Sequence, residues 1–160
     1  MIPAPDHGFQ VQAGKVITDR LIVAEDHQGL RDRVVRDLEL EFSVVGCAAD
    51  GQELLDAESR IKPDLIVLDI SMPTMDGIEA ATVLKQRHSK AKIVFLTMHD
   101  EPEFLNAALG TGALGYVIKS RLASDLRRAV REAMAGRRFI SPCLTMISPE
   151  DIVKAKGVQV

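Results

Sequence analysis

Five short runs of apolar residues punctuate the chain between residues 20 and 120, and none of them alternates with polar residues. They are Leu-Ile-Val-Ala at 21–24, Val-Val-Gly-Cys at 44–47, Leu-Ile-Val-Leu at 65–68, Ile-Val-Phe-Leu at 93–96 and Tyr-Val-Ile at 116–118. Short, β-branched and apolar on both sides, they have the pattern of strands covered on both faces of a parallel sheet. The stretches between them have helical spacing. Leu30, Val34, Val35 and Leu38 form one stripe, and Ile78, Ala81 and Leu84 a second. Leu126, Ala129, Val130 and Ala133 form a third, with Arg127, Arg128 and Arg131 turned outward. Breakers fall between the elements, at Lys62-Pro63, Met72-Pro73, Asp76-Gly77 and Gly110-Thr111-Gly112. Asp100, followed by Pro102 and Glu103, predicts a helix start with Asp100 as the capping side chain. Five β–α units between about residue 20 and residue 136, joined by right-handed crossovers, predict an α/β fold: a doubly wound, five-stranded parallel sheet in a three-layer sandwich.

Composition bounds the rest. A chain of 160 residues, 46% of them hydrophobic, can build one sizeable core. The net charge of −3 lacks the basic excess of a surface devoted to nucleic acid. Five Phe, one Tyr and no Trp are too few for an aromatic single-strand platform. Cys47 and Cys143 have no partner spacing and read as a buried thiol and a tail thiol in a reducing compartment. Residues 1–7 show no secretory pattern, and no apolar run reaches the roughly 18 residues of a membrane span. The expectation is a cytoplasmic chain without a membrane role. Its organisation is expected to be an N-terminal extension at 1–18, a domain at 19–138, and a tail or linker at 139–160 with one short capped helix near Ser148.

In doubly wound sheets the chemistry gathers at the carboxyl ends of the strands. The first run ends in Glu25-Asp26, the third in Asp69, the fourth in Thr97 and the fifth in Lys119. Three carboxylates brought together repel, and a divalent cation relieves them; an all-oxygen set suits Mg²⁺. Such a site is suited to phosphoryl chemistry, with Asp69 as nucleophile and Lys119, the Thr97 hydroxyl and the cation spreading the phosphoryl charge.

Glu25-Asp26, the run Leu68-Asp69-Ile70-Ser71-Met72-Pro73-Thr74-Met75-Asp76-Gly77, Thr97, and Gly115-Tyr116-Val117-Ile118-Lys119 together resemble the receiver domain of two-component response regulators. The resemblance implies the flavodoxin-like strand order 2-1-3-4-5. It implies a phosphoacceptor Asp69 charged by a sensor histidine kinase or a histidine phosphotransfer protein. Mg²⁺ would be held by Asp26, Asp69 and the Ser71 carbonyl, with Glu25 acting through water. Thr97 and Tyr116 match the family's switch pair, in which the hydroxyl moves to the phosphoryl group and the ring turns inward, and Lys119 pairs with that group. Ser71 and His99 lie two residues beyond Asp69 and Thr97, at positions the family varies and that bear on acyl-phosphate lifetime. Residues 113–120 and 135–142 resemble the receiver end of LuxR/NarL-type regulators, where a linker and a helix-turn-helix domain follow. The roughly 20 residues left here are too few for that domain. Glu-Asp in place of the commoner Asp-Asp, and Ser120 in place of a frequent proline, are smaller departures.

Each residue also has a plainer reading. Glu25 and Asp26 could cap the first helix, Thr97 could be an ordinary strand residue, and Tyr116 a half-buried aromatic on an edge strand. Arg127, Arg128, Arg131, Arg137 and Arg138 could form a solvated helix face, a partner surface or a nucleic-acid patch. The function expected is a phosphorylation-activated switch, with self-catalysed phosphorylation and dephosphorylation rather than turnover. It would act through protein–protein contacts, with a homodimer among them and the downstream target open. The alternative is the truncated receiver of a LuxR/NarL-type DNA-binding regulator. An aspartyl phosphatase is disfavoured, because the second acid of the haloacid dehalogenase pattern is replaced by Ser71.

Overall fold

The computed structural model describes residues 10–12, 15–17 and 19–144. A short antiparallel pair, β1 (Gln10–Gln12) and β2 (Lys15–Ile17), stands in the stretch expected to be an N-terminal extension. The main body alternates β3 (Arg20–Ala24), α1 (Gln28–Leu38), β4 (Ser43–Ala48), α2 (Gly51–Ile61), β5 (Leu65–Leu68), α3 (Gly77–Gln86), β6 (Lys92–Thr97), α4 (Pro102–Gly110), β7 (Gly115–Ile118) and α5 (Leu122–Met134). The sheet order is β4-β3-β5-β6-β7-β8, all parallel. Its first five strands run 2-1-3-4-5, the order implied by the family resemblance.

The sixth strand, β8 (Phe139–Ile140), was not anticipated. It pairs Phe139 with Gly115 and Ile140 with Tyr116, and Phe139, Ser141 and Leu144 are buried. Residues 139–144 therefore belong to the packed body and are not a tail; two residues are too short a run to register as a strand by periodicity. The expected short helix near Ser148 lies outside the described residues.

Strand geometry sends successive side chains to opposite faces, and the two halves of the core follow it. Leu21, Val23, Leu65, Val67, Val94, Leu96 and Val117 face α1 and α5, meeting Val34, Leu38, Leu126, Ala129, Val130 and Ala133. Ile22, Ala24, Ile66, Leu68, Ile93, Phe95 and Tyr116 face the other way, onto Leu54, Leu55, Ala80, Ala81, Leu84, Leu105 and Ala108 of α2, α3 and α4. Three layers result. The arginines of α5 and of the turn after it are largely engaged with acidic or aromatic neighbours. Arg127 lies 3.6 Å from Asp37 and 3.4 Å from Glu41, Arg131 pairs with Glu41, Arg137 with Glu132, and Arg128 lies over the Phe139 ring.

Two local expectations change. Cys47 is exposed, because β4 is the edge strand and has a neighbour on one side only. The N-cap of α4 is Glu101, not Asp100, and no side chain caps it; Pro102, with its fixed φ, starts the helix instead.

The turn from β5 to α3 is the tightest steric feature near the strand ends. Asp76 and Glu79 form a reciprocal capping box, and the Gly77 N–H donates to the Ile70 carbonyl at 2.7 Å. A Cβ on Gly77 would lie 2.0 Å from the Asp69 carbonyl oxygen, so only glycine lets α3 start against that backbone. Gly77→Ala is expected to cost about 1–3 kcal/mol in urea unfolding, as overpacking does. Gly110→Ala, where nothing lies within 4 Å of the added carbon, should leave stability unchanged or raised.

Candidate functional site

Strand order reverses around β3, so a crevice opens where the chain leaves β3 and β5 at their carboxyl ends. Glu25 and Asp26 follow β3, and Asp69 follows β5. One oxygen from each lies within 4.8 Å of the others; Glu25 and Asp69 are buried, and Asp26 is exposed. The capping reading of the acidic pair fails, since α1 is capped by His27, whose Nδ1 accepts from the Leu30 N–H. Glu25 is fixed from two sides: its Oε2 accepts the His27 N–H at 3.1 Å, and its backbone carbonyl accepts from Arg31. Among the described residues the Asp26 carboxylate has no hydrogen-bond or ion-pair partner.

Lys119 follows β7 and reaches across the crevice. Its Nζ donates to Asp69 Oδ2 at 2.8 Å and lies 3.0 Å from Glu25 Oε1. Burial, helped by the Asp69 charge, raises the Glu25 carboxyl above its ordinary range, despite the His27 N–H and the nearby ammonium. Burial also pulls the Lys119 ammonium down, but its hydrogen bonds and charge pairing with Asp69 and Glu25 outweigh that, leaving it raised. One cation thus holds two of three clustered acids. The remaining oxygens, all hard donors with no nitrogen or sulfur among them, suit Mg²⁺, which binds through one or two carboxylates and keeps several waters. The residues fit that ion.

Lys119 is itself held from behind by a buried polar chain that the sequence reading missed. The Ile118 N–H donates to Ser141 Oγ at 3.1 Å, Ser141 donates to Asp125 Oδ2 at 2.9 Å, and Arg121 and Ser124 complete Asp125. Asp125 sits on the apolar side of α5, where a charged residue breaks the amphipathic pattern. That break was the available signal.

Thr97 ends β6 fully buried, and its Oγ1 accepts the His99 N–H at 3.2 Å. Tyr116 is fully buried too, not half-buried, because β8 covers β7 and the ring points into the α4 layer. Its hydroxyl donates to the His99 carbonyl at 2.7 Å, and its ring lies 6.5 Å from that of Phe95. Ser71 is exposed, with its Oγ 2.7 Å from His99 Nε2. The structure therefore brings Glu25, Asp26, Asp69 and Lys119 into one cluster, and joins Thr97, Tyr116 and Ser71 through His99.

A six-stranded parallel sheet with an acidic cluster and a lysine at its topological switch point defines a receiver-type phosphoacceptor fold. The response regulator receiver domain family matches residues 21–131, and the chain belongs to it. It is 36% identical over 138 residues to the transcriptional regulatory protein DegU of Brevibacillus brevis, covering 85% of this chain and 57% of that protein. It is 35% identical to the probable transcriptional regulatory protein NarL of Mycobacterium tuberculosis, covering 78% of this chain and 59% of that protein. The chain thus spans about three-fifths of the length of these relatives. Among solved structures, a LuxR-family two-component response regulator from an Aurantimonas species superposes with a TM-score of 0.76 at 32% identity, covering 86% of this chain and 97% of that one. The isolated receiver domain of RcsB from Salmonella enterica, in the presence of the phosphomimetic BeF₃⁻, gives 0.75 at 26%, covering 80% and 96%. No helix among the described residues is long and apolar enough to cross a membrane.

Tyr116 is the sole tyrosine, in a chain without tryptophan. Burial, with the charges of Glu101 and Asp100, pushes its phenol far above the usual value of about 10. The folded state then holds this proton more tightly than the unfolded state. The stabilisation is complete below pH ~10 and falls as pH rises past it, because the unfolded phenol ionises first. In an alkaline titration, phenolate absorbance at 295 nm is expected to appear only as the helical circular dichroism is lost. A separate, earlier phenolate transition in the folded protein would contradict the buried phenol.

Proposed function

We propose that the chain is a phosphorylation-activated switch whose phosphoacceptor is Asp69. The observation that carries this is the buried Asp69 carboxylate, bonded to Lys119 and clustered with Glu25 and Asp26 at the strand ends. The donor is the phosphohistidine of a sensor histidine kinase or a histidine phosphotransfer protein, the partners of receiver domains. A carboxylate oxygen of Asp69 attacks phosphorus, the P–N bond breaks, and the imidazole leaves as its electron pair takes up a proton. The product is an acyl phosphate. Asp26, Asp69 and the Ser71 carbonyl would hold Mg²⁺, with Glu25 acting through water; when bound, the ion supplies charge neutralisation on the phosphoryl oxygens. Lys119 neutralises the remaining charge from the opposite side, and Thr97 offers a hydroxyl to the group.

The chain acts as a phosphoacceptor and not as an enzyme turning over external substrate; return to the carboxylate is self-catalysed hydrolysis. Phosphorylation biases a two-state equilibrium by no more than its differential interaction energy with the two states. Thr97 and Tyr116 are the groups through which that bias reaches α4, β7 and α5, and hence protein partners, including a second copy of the chain. The receiver runs from residue 19 to at least residue 144, because β8 and the Ser141–Asp125 pair belong to its core.

A second reading follows from the relatives. DegU and NarL are transcriptional regulators longer than this chain, so the same switch could control an attached DNA-binding domain. The coding sequence beyond Val160 separates the two readings: a helix-turn-helix there supports the second, a stop codon the first.

With a small-molecule phosphodonor and Mg²⁺, the protein is expected to incorporate one phosphoryl group that is released by alkali and by hydroxylamine, as an acyl phosphate is. Asp69→Asn should reduce incorporation to background, and chelating the metal should do the same to the wild type. Undiminished labelling of the Asp69→Asn protein overturns the assignment.

A further inference from the structure

The loop that follows Thr97 holds its shape through one residue. Between Met98 and Glu101 the main chain has little regular bonding of its own; Met98 is three-quarters exposed, and α4 begins only at Pro102. His99 supplies the anchors. Its N–H donates to Thr97 Oγ1 at 3.2 Å and its carbonyl accepts the Tyr116 phenol at 2.7 Å. Its ring stacks on Phe104 in α4, with centroids 3.9 Å apart and planes 17° apart. Nε2 lies 2.7 Å from Ser71 Oγ, and Nδ1 lies 3.8 Å from the Glu101 carboxylate. The contacts found to hold the Tyr116 hydroxyl thus run through a loop carbonyl whose own position is set by the His99 side chain.

We propose that the Ser71–His99 side-chain hydrogen bond is a positioning link that sets how firmly Tyr116 is held inward. It ties the loop after Asp69 to the loop after Thr97. A displacement of Ser71 then reaches Tyr116 and Phe104 through the His99 ring and carbonyl, in parallel with any movement of the Thr97 hydroxyl. His99 touches no reacting atom; it acts through Tyr116 and α4. The geometry explains why the imidazole is useful there. A flat ring can stack on Phe104 while its edge nitrogen meets Ser71, and a flexible side chain could do only one of these firmly. The link takes its meaning from the phosphoacceptor reading, but it is a property of the unmodified protein and is tested there.

The sole tyrosine and the lack of tryptophan make the test direct. Acrylamide quenching of tyrosine fluorescence is measured without phosphodonor on the wild type, Ser71→Ala, Ser71→Thr, His99→Ala and the Ser71→Ala/His99→Ala double variant. Circular dichroism confirms that each is folded. Losing one hydrogen bond of ordinary net strength should raise the ring-out population of Tyr116 about two- to tenfold. Ser71→Ala is expected to show that rise, and Ser71→Thr, which keeps the hydroxyl, to restore protection. The double variant should be quenched no more than His99→Ala alone, since both changes cut one link. The phenolate transition at 295 nm should shift downward in Ser71→Ala and return in Ser71→Thr. A folded Ser71→Ala protein whose tyrosine is as protected as in the wild type overturns the proposal, as does full additivity in the double variant. Failure of Asp69 labelling would be a separate result, bearing on the phosphoacceptor reading and not on these measurements.

Discussion

The ammonium of Lys119 lies against Asp69 and Glu25 at the carboxyl edge of the sheet, and much of the fold serves to put it there. Two buried carboxylates and a third beside them would repel one another in a site of low polarity. The lysine reaches them from a strand two places away from Asp69 in the sheet, so the pairing requires β5, β6 and β7 in their observed order and register. The buried Ser141–Asp125 chain behind Ile118 fixes the end of β7 from which Lys119 departs. Gly77 lets α3 close against the Asp69 carbonyl from the other side. The same arrangement leaves Asp26 exposed and without a partner among the described residues.

A second set of contacts lies one layer further out. Thr97 and Tyr116 are both buried and share no direct bond; His99 joins them through its backbone N–H and carbonyl. Thr97 and Tyr116 are therefore joined through a single residue whose side chain also touches Ser71 and stacks on Phe104 of α4. Packed elements with a few discrete arrangements convert small displacements into population shifts more readily than a deformable surface does.

Much of this was legible in the sequence, and the reasons are physical. Strands buried on both faces leave unbroken apolar runs, so β3, β5, β6 and β7 announced themselves, and the residue after each was the place to look for chemistry. That rule pointed to Glu25, Asp26, Asp69 and Lys119, which the structure gathers at one edge, and to Thr97 at the end of β6, whose switch role rested mainly on the family resemblance. It could not find β8, because two residues paired to an edge carry no period, and so it gave no sign of the cover that completes the burial of Tyr116. Cys47 was misread for the opposite reason: an apolar run on an edge strand looks the same as one in the centre. The His99 contacts were out of reach, since they join loops separated in sequence by 28 residues and depend on ring orientation.

The central claim is that the phosphoryl group is carried by one particular carboxylate. It is tested most directly by trapping the acyl phosphate with borohydride, which reduces an aspartyl phosphate to homoserine, and locating the product by peptide mass spectrometry. Homoserine is expected at residue 69 in protein treated with phosphodonor and Mg²⁺, and none without the donor. Homoserine at Asp26 or another acid, or phosphate retained on a serine, threonine or histidine with residue 69 unchanged, would contradict it.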